Sequence, residues 1–342
     1  MIVANATGCS SIYSGSFPSL PYCKDKNGRG PAWANSLFED NAEYGFGMRV
    51  AVDTNRNQLM DNIKRVQELG VCCDEMKAAL DYAVANWDKT DAAAIANQNK
   101  LGALLPKAVE KSEGEKKAIY TKMLELKDYF VDKSVWIIGG DGWAYDIGYG
   151  GLDHVVSQNR NVNILVLDTE VYSNTGGQAS KSTPIGAVAL FAASGMRLTK
   201  KNLGFMCMSY GNVYVASIAM GANRQQTLTA IREAEAHNGP SIILVYAPCM
   251  LHGINMSKSQ VEEKRAVEAG YWPLYRYNPD IDKPFIWETK DAVASFQEFI
   301  RSENRYASLL KANPAEAEKL YEQAEKDGER RMNFYKKLGE IM

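Results

Sequence analysis

Four short apolar runs in the second half of the sequence constrain the fold most strongly. They span residues 134–140, 161–168, 202–209 and 240–248, and each is typical of a strand buried on both faces. Helical patterns lie between them, in "YDIGYGGLDHVVSQ", "GAVALFAAS", "NVYVASIAMG" and "RQQTLTAIREAEAHNG". This alternation predicts right-handed crossovers and a doubly wound, mostly parallel α/β sheet covered by helices.

The regions that flank this alternation differ from it. The first fifty residues are rich in Gly, Pro, Ser and Asn, and we interpret them as a functional loop region because long loops in compact domains are usually functional. Residues from about 54 to 132 show helical spacing with charged outer faces and predict a helical insertion. We expect residues 1–278 to form one domain that contains this insertion, and residues 279–342 to form a peripheral helical arm.

The beginning of the chain is unusual. A buried-strand pattern at residues 2–4 starts almost at the first residue, with no lead-in, and runs into a glycine turn. We therefore expect the chain to be a fragment of a longer polypeptide, with a short native N-terminus as the alternative.

Composition excludes several classes of function. Among 342 residues, 39 Lys and Arg balance 41 Asp and Glu, which gives no basic footprint for nucleic acid or an anionic membrane. No apolar run approaches the roughly 20 residues that a membrane span needs. Six cysteines are scattered without a C-x-x-C pair, which argues against a secreted disulfide framework and a self-contained zinc site. We therefore expect a cytoplasmic protein that binds neither nucleic acid nor membranes.

Two stretches place oxygen-bearing side chains where predicted strands end. Asp141 follows the first run in "GGDGWAYDIG", and Asp168 and Thr169 end the second in "LDTEVYSNTGGQ". In an open parallel sheet, ligands gather at the carboxyl ends of strands. Magnesium favours a carboxylate together with phosphate oxygens, and the glycines beside Asp141 let the backbone approach a phosphate. A lone Gly-Asp-Gly is more often a simple turn, but the two stretches together predict a magnesium ion that carries a diphosphate.

These stretches resemble a known family. "GDGWAYDIGYGGLDH" and "NVNILVLDTEVYSNTGGQASKSTPIGAVA" resemble the thiamine-diphosphate-binding domain of the pyruvate:ferredoxin (flavodoxin) oxidoreductases. "NATGCSSIYSGSFPSLPY" and "YAPCMLHGI" are similar to the motifs that flank that domain. The resemblance covers essentially the whole chain and is most specific at residues 3–22, 136–184 and 246–256. It implies a thiamine-diphosphate-binding fold, specifically the half that holds the diphosphate.

The resemblance also implies a set of site residues. Asp141, Thr169 and the carbonyl of Val171 would bind magnesium. Asn174 would be catalytic, with its amide donating to a developing oxyanion; a simple turn Asn is the alternative. Glu170 would either support Thr169 or be a solvated neighbour of it. The complete cofactor-binding set would be Cys9, Gly140, Asp141, Gly142, Trp143, Thr169, Glu170, Val171, Tyr172, Ser173 and Asn174.

The cysteines divide into two groups. The resemblance implies that Cys9 and Cys249 are ligands of a 4Fe–4S cluster, whose other two ligands come from a C-x-x-C pair that this chain lacks. A lone cysteine is usually a small buried apolar residue, which is the expectation for Cys72, Cys73 and Cys207. Cys23 is left undecided. His252, beside Cys249 in "CMLHGI", is open between a functional and a structural role.

The activity implied by the resemblance is the oxidative decarboxylation of pyruvate to acetyl-CoA and carbon dioxide. Coenzyme A would take the acetyl group, and electrons would pass through 4Fe–4S clusters to ferredoxin or flavodoxin. No candidate is found for the Glu that contacts the aminopyrimidine, so we expect half an active site, completed by the remaining domains of the same enzyme, in a homodimer. The alternatives are an oxidoreductase for another 2-oxoacid, and a non-catalytic binding or assembly module.

Overall fold

The computed structural model describes residues 1–8, 23–26 and 28–342. Within these ranges it contains an eight-stranded sheet with the strand order β2-β1-β3-β4-β6-β5-β7-β8. The strands are β1 (Ile2–Ala6), β2 (Ala32–Ser36), β3 (Val135–Gly140), β4 (Val162–Asp168), β5 (Tyr214–Ile218), β6 (Pro240–Tyr246), β7 (Tyr275–Tyr277) and β8 (Phe285–Trp287).

The sheet is parallel except at one edge. Among the described strands, the neighbouring pairs from β2 to β5 are all parallel, whereas the pairs β5–β7 and β7–β8 are antiparallel, so β7 runs opposite to the others. Every residue of β3 and β5 is buried, as expected for strands covered by helices on both faces. The predicted α/β class is therefore confirmed, and so are the strands predicted at 134–140, 161–168 and 240–248.

Helices lie between the strands along the chain and also follow the last strand. A π-helical turn, Gly142–Ile147, follows β3 directly. The α-helices are α1 (Asn41–Glu68), α2 (Asp74–Ala85), α3 (Ala92–Lys111), α4 (Gly114–Glu125), α5 (Tyr149–Ser157), α6 (Leu203–Met208), α7 (Arg224–Ala236), α8 (Ser259–Glu268), α9 (Phe296–Arg301), α10 (Asn304–Ala312) and α11 (Pro314–Ile341). None of the helices among the described residues is long and apolar enough to cross a membrane.

The chain divides into two compact units. One contains residues 1–46 and 135–342 and holds the sheet; the other contains residues 47–134, and the division falls inside α1. The helices of the second unit bury a core of their own that includes Leu59, Leu101 and Tyr120. Within the first unit, β8 pairs with β7 across the predicted boundary at residue 278.

Two predictions for segments between β4 and β6 are wrong, because the predicted strand is a helix and the predicted helix contains a strand. The run at 202–209 is the helix α6, in which the Asn202 side chain accepts the Phe205 N–H at the first turn. The strand is β5, inside the segment "NVYVASIAMG" that we predicted as helical. Periodicity cannot separate a short apolar helix from a buried strand. The strand β5 contains Tyr, Val and Ile, and such aromatic and β-branched residues pack well on a sheet. Its place between β6 and β7 in the sheet also favours a strand.

Two other segments also differ from prediction. "GAVALFAAS" forms turns and isolated bridges rather than a helix, with Gly186 and Phe191 both at positive φ. The first fifty residues are not all loop, because they contain β2 and the beginning of α1 at Asn41. Much of the remaining predicted loop lies outside the described residues.

Candidate functional site

The candidate site lies where β3 and β4 end. The two strands pair in parallel with Gly140 opposite Leu167, so Asp141 and Asp168 follow at the same edge of the sheet. Both carboxylates are completely buried, as is Thr169. The crossover through α5 that joins these strands brings together two sequence motifs separated by 28 residues.

Three oxygen atoms converge at this edge. Thr169 Oγ1 lies 2.8 Å from Asp141 Oδ1 and 2.9 Å from the carbonyl oxygen of Val171. A hydroxyl has one hydrogen and can donate to only one of these acceptors at a time. Adjacent oxygen ligands of an octahedral magnesium with bonds of about 2.1 Å are about 3 Å apart. The donor set and its spacing therefore fit a small hard cation.

A serine holds the second oxygen of Asp141. Ser180 Oγ donates to Asp141 Oδ2 at 2.6 Å, and the Ser180 N–H donates to Thr183 Oγ1. Burial, and next the nearby carboxylate of Asp168, raise the pKa of Asp141 to about 7. A buried carboxylate with a raised pKa lacks sufficient positive charge nearby, which a bound cation would supply.

Asp168 belongs to a buried ion-pair network behind Asp141. Its Oδ2 atom accepts the Tyr145 hydroxyl at 2.7 Å and lies 2.8 Å from Lys200 Nζ. Lys200 also lies 2.9 Å from Glu170 Oε1, so a single ammonium group joins the two carboxylates. Ser182 Oγ donates to the other oxygen of Asp168.

Glu170 is buried and has an uncommon backbone conformation. Its φ of 58° lies in the left-handed region, which is rare for a residue other than glycine and often marks a functional loop. Its Oε2 atom accepts the Tyr271 hydroxyl and lies 2.8 Å from Arg305. Against the effect of burial, Lys200 and Arg305 hold the pKa of Glu170 well below its ordinary value. The alternative that Glu170 is a solvated neighbour of Thr169 is therefore wrong.

His252 joins the network to the loop after β4. Its ring is completely buried, with Nε2 2.8 Å from the Thr169 carbonyl oxygen and Nδ1 3.4 Å from Glu303 Oε1. Glu303 in turn lies 2.7 Å from Arg305. Of the two roles left open for His252, this geometry favours one in which it holds the loop that carries Thr169.

The formal charges of this buried cluster do not balance. Its carboxylates are Asp141, Asp168, Glu170 and Glu303, and its permanent cations are Lys200 and Arg305. With all six ionised, two negative charges remain. A divalent cation beside Asp141 would cancel that excess.

The Gly-Asp-Gly corner is closely packed. A Cβ atom on Gly142 would lie 2.5 Å from the ring of Tyr172, whose hydroxyl donates to the Gly142 carbonyl at 3.2 Å. The Trp143 side chain lies inside the fold, where Cβ atoms on Gly139 and Gly148 would each lie 2.2 Å from its ring. Trp143 can therefore line a ligand only through its backbone. Gly140, the last residue of β3, is buried beside this corner.

The loop that carries Ser173 and Asn174 forms a turn at the surface. The Gly177 N–H donates to the Tyr172 carbonyl at 2.9 Å, and the Tyr172 N–H donates to the Gln178 carbonyl at 2.9 Å. Asn174 is exposed at this turn, and its side chain has no hydrogen-bond partner among the residues that the structure describes. Its amide is thus accessible to a ligand outside the loop.

Comparison with known proteins identifies the relatives of this chain. The family model "Thiamine pyrophosphate enzyme, C-terminal TPP binding domain" matches residues 117–245. The chain is 54% identical to pyruvate:ferredoxin oxidoreductase of Moorella thermoacetica and 49% identical to pyruvate-flavodoxin oxidoreductase of Klebsiella pneumoniae. Each match covers 99% of this chain and 29% of the relative.

The chain is similar to one part of these oxidoreductases. The resemblance stated from the sequence is confirmed, and the chain spans about 29% of the length of these pyruvate oxidoreductases. A solved 2-oxoglutarate:ferredoxin oxidoreductase from Magnetococcus marinus is 22% identical over 43% of this chain and 44% of that one, with a TM-score of 0.32. That score is too low to inform the fold.

The cysteines implied by the oxidoreductase resemblance are placed only in part. Cys249 is buried just after β6, and its sulfur accepts the Leu251 N–H at 3.3 Å. Cys9 lies outside the described residues, so its pairing with Cys249 stays a prediction. No group of three or more His, Cys, Asp or Glu side chains in the described ranges could hold a metal; the predicted magnesium set has one carboxylate and is not of that type.

The prediction that the other cysteines are buried is correct for one of them and wrong for two. Cys207 is buried, as predicted. Cys72 and Cys73 are exposed, so the prediction of burial is wrong for both, and their sulfur atoms lie 3.9 Å apart. They stand in the short connection between α1 and α2, at residues 69–73, where both side chains face solvent. Cys23 is also exposed.

Sequence reasoning missed most of the buried network. Except for Tyr145, which stands three residues after Gly142, each missed residue lies far along the chain from the Gly-Asp-Gly corner, and an isolated Ser, Lys or Arg carries no local signature of such a role. The only signal available was the polar run "ASKST" between apolar segments, which supplies two of them. The missed residues are Tyr145, Ser180, Ser182, Lys200, Glu303 and Arg305.

Proposed function

We propose that this chain is the part of a pyruvate:ferredoxin or pyruvate-flavodoxin oxidoreductase that holds thiamine diphosphate and magnesium. The observation that carries the proposal is that Asp141 Oδ1 and the Val171 carbonyl oxygen both lie within 2.9 Å of the Thr169 hydroxyl oxygen. The substrate and electron acceptors are those in the names of the relatives, to which this chain is 54% and 49% identical over the aligned 29% of their length.

Magnesium would be held by Asp141 Oδ1, Thr169 Oγ1 and the Val171 carbonyl oxygen. These are hard oxygen ligands from two loops at one sheet edge, and phosphate oxygens would complete the coordination. The raised pKa of Asp141 and the two uncompensated charges of the cluster support this assignment, because both reflect a deficit of positive charge.

The diphosphate would lie against the backbone of the Gly140-Asp141-Gly142 corner. The helical turn that follows Asp141 starts with N–H groups that have no partner within the helix, and such groups favour an anion. Tyr172 closes the corner from the opposite loop and fixes its width. This corner would be supported by Glu170, Ser173 and the backbone of Trp143, none of which would supply positive charge to the diphosphate.

Asn174 would orient the reacting substrate. Its exposed amide is positioned on a fixed turn and can donate a hydrogen bond to an oxygen on which negative charge develops. Thiamine diphosphate, when bound, supplies the carbanion chemistry that decarboxylation requires. The part played by this chain is to hold the cofactor, exclude water from the buried carboxylates and present the Asn174 amide.

The same proposal includes the finer features implied by the resemblance. Coenzyme A would accept the acetyl group, and a 4Fe–4S cluster would use Cys9 and Cys249 with two further cysteines. The other domains of the oxidoreductase would complete the site, in a cytoplasmic homodimer. Residues 1–278 would form the cofactor domain, with an insertion at about 54–132, and residues 279–342 its peripheral arm.

Calorimetric titration of thiamine diphosphate into the chain, with and without magnesium, tests this function. We expect saturable binding of one cofactor per chain that requires the metal. Calcium or manganese should replace magnesium with altered affinity, whereas chelation should abolish binding. Binding of equal strength with and without a divalent cation would contradict the metal assignment, and absence of binding would contradict the function.

A further inference from the structure

A second cavity lies on the other side of the buried network. It encloses about 320 Å³ between the segment 199–205 and the C-terminal helix α11. This volume is within the lower range of small-molecule sites, which are about 300–1,000 Å³. Asp141 and the residues of the diphosphate corner do not line it. Its walls include the aromatic side chains of Tyr145, Phe205, Trp272, Tyr275, Phe334 and Tyr335.

Four cationic side chains also line this cavity, and two of them are neutralised. Lys200 is paired with Asp168 and Glu170, and Arg330 is paired with Asp327. The charges of these two cations are therefore compensated within the fold.

The other two cations have no carboxylate partner in the part of the chain that the structure describes. Lys201 Nζ donates to the Tyr145 carbonyl at 3.0 Å and lies over the ring of Tyr149. Arg331 Nη2 donates to the Tyr271 carbonyl at 2.8 Å. Both side chains are hydrogen-bonded only to neutral groups, so neither cation is compensated by a paired carboxylate.

Two buried donors at this cavity also lack acceptors. Within the described residues, neither the indole N–H of Trp272 nor the Nε–H of Arg331 has a hydrogen-bond partner. Trp272 is 4% exposed. Buried N–H groups are almost always bonded, and an unsatisfied one costs free energy. Both residues line the same cavity, and an acceptor that reaches their N–H groups would satisfy them.

We propose that this cavity binds a small organic anion with an apolar, ring-sized body and a carboxylate or similar acidic head. Its head group would accept from Arg331 and Trp272 and lie within the field of Lys201. Its body would replace water against the aromatic walls. Such a ligand satisfies the free donors and the uncompensated cations at once, which neither a neutral apolar molecule nor inorganic phosphate does.

Binding of 2-naphthoate to the chain, measured by calorimetry and ligand-observed NMR, tests this inference. The matched neutral probe is 2-naphthylmethanol, and inorganic phosphate is the anion without an apolar body. We expect saturable binding of naphthoate at submillimolar concentration, binding of the alcohol at least tenfold weaker, and no binding of phosphate. Equal affinity for the acid and the alcohol would overturn the proposal, as would the absence of saturable naphthoate binding.

Three variants locate the site. Arg331→Met and Trp272→Phe keep the bulk of the side chain and remove a donor, and each should weaken naphthoate at least fivefold. Arg330→Met is the matched control, because Arg330 lines the same cavity but is paired with Asp327, and it should change the affinity less than twofold. Thermal unfolding checks that each variant is folded. Naphthoate affinity that falls equally in Arg330→Met, or stays unchanged in both donor variants, would contradict the assignment.

Discussion

Thr169 Oγ1 lies 2.8 Å from Asp141 Oδ1, although 28 residues separate them. Each residue stands just after a buried parallel strand, and the two strands are neighbours in the sheet. The crossover through α5 therefore places a hydroxyl beside a carboxylate, and the Val171 carbonyl lies 2.9 Å from that hydroxyl.

Asp141→Asn should remove the only carboxylate assigned to magnesium while keeping its size. We expect metal-dependent thiamine diphosphate affinity to fall at least about 100-fold, or about 2.7 kcal/mol, because the amide cannot compensate the cation. Calorimetric titration with magnesium measures this loss. Asp146→Asn is the control, since Asp146 bonds to Lys181 rather than to Thr169. Unchanged affinity in Asp141→Asn would remove the magnesium assignment.

Asn174→Ala should leave cofactor binding within about twofold, because the exposed amide has no role in the diphosphate corner. In the complete oxidoreductase, turnover of pyruvate should fall by about 10²–10³, the typical cost of losing one oxyanion donor. Thr175→Ala, on the same turn, should have little effect on either quantity. A loss of cofactor affinity with normal turnover would make Asn174 a structural residue.

Cys9 and Cys249 should be needed for a 4Fe–4S cluster, which ordinarily takes four thiolates. This chain alone should hold no stable cluster after anaerobic reconstitution, whereas a chain extended to include a C-x-x-C pair should show its visible absorption. Cys9→Ser or Cys249→Ser should abolish that absorption, and Cys72→Ser should not. Persistence of the cluster in both of the first two variants would exclude these ligands.

Gly139→Ala should destabilise the fold because its Cβ would lie 2.2 Å from the ring of Trp143. We expect a loss of about 1–3 kcal/mol in the free energy of unfolding, typical of overpacking a core. Gly150→Ala is the control, since Gly150 lies in α5 with open space around its Cβ. It should be neutral or stabilise by up to about 1 kcal/mol. Denaturant unfolding measures both, and similar values for the two would contradict the packing of Trp143.

The pH should control anion binding in the second cavity through Lys201. Burial, and next the charge of Lys181, lower the pKa of Lys201 to about 8, against the opposing effects of Asp146, Cys207 and Asp153. Lys201 is therefore charged below pH 8 and becomes neutral above it, while naphthoate stays ionised. We expect naphthoate affinity to fall as pH rises from 7 to 9. Lys201→Arg should abolish this fall, because arginine stays charged; an unchanged pH profile in that variant would exclude Lys201.

The sequence could predict the parts of this site whose signal lies within one short stretch of residues. The strands β3 and β4, and the positions of Asp141 and Thr169 at their ends, followed from apolar runs that stop at polar and glycine-rich corners. Those runs are local in sequence, and a parallel sheet converts them directly into a shared edge. Resemblance to the oxidoreductases then suggested which ligand this edge holds.

Tertiary structure alone decided the rest. Ser180, Lys200 and Arg305 reach the same cluster from 39, 30 and 135 residues away from their partners, and apart from the polar run around Ser180 nothing in their local sequences indicates it. The wrong assignments of α6 and β5 have the same cause. Both segments are short and apolar, and only pairing with β6 distinguishes the strand from the helix. Local sequence determines where a strand ends and which side chain stands there. Burial and long-range pairing determine which charges meet, because a carboxylate inside a fold is stable only when its partners are brought to it.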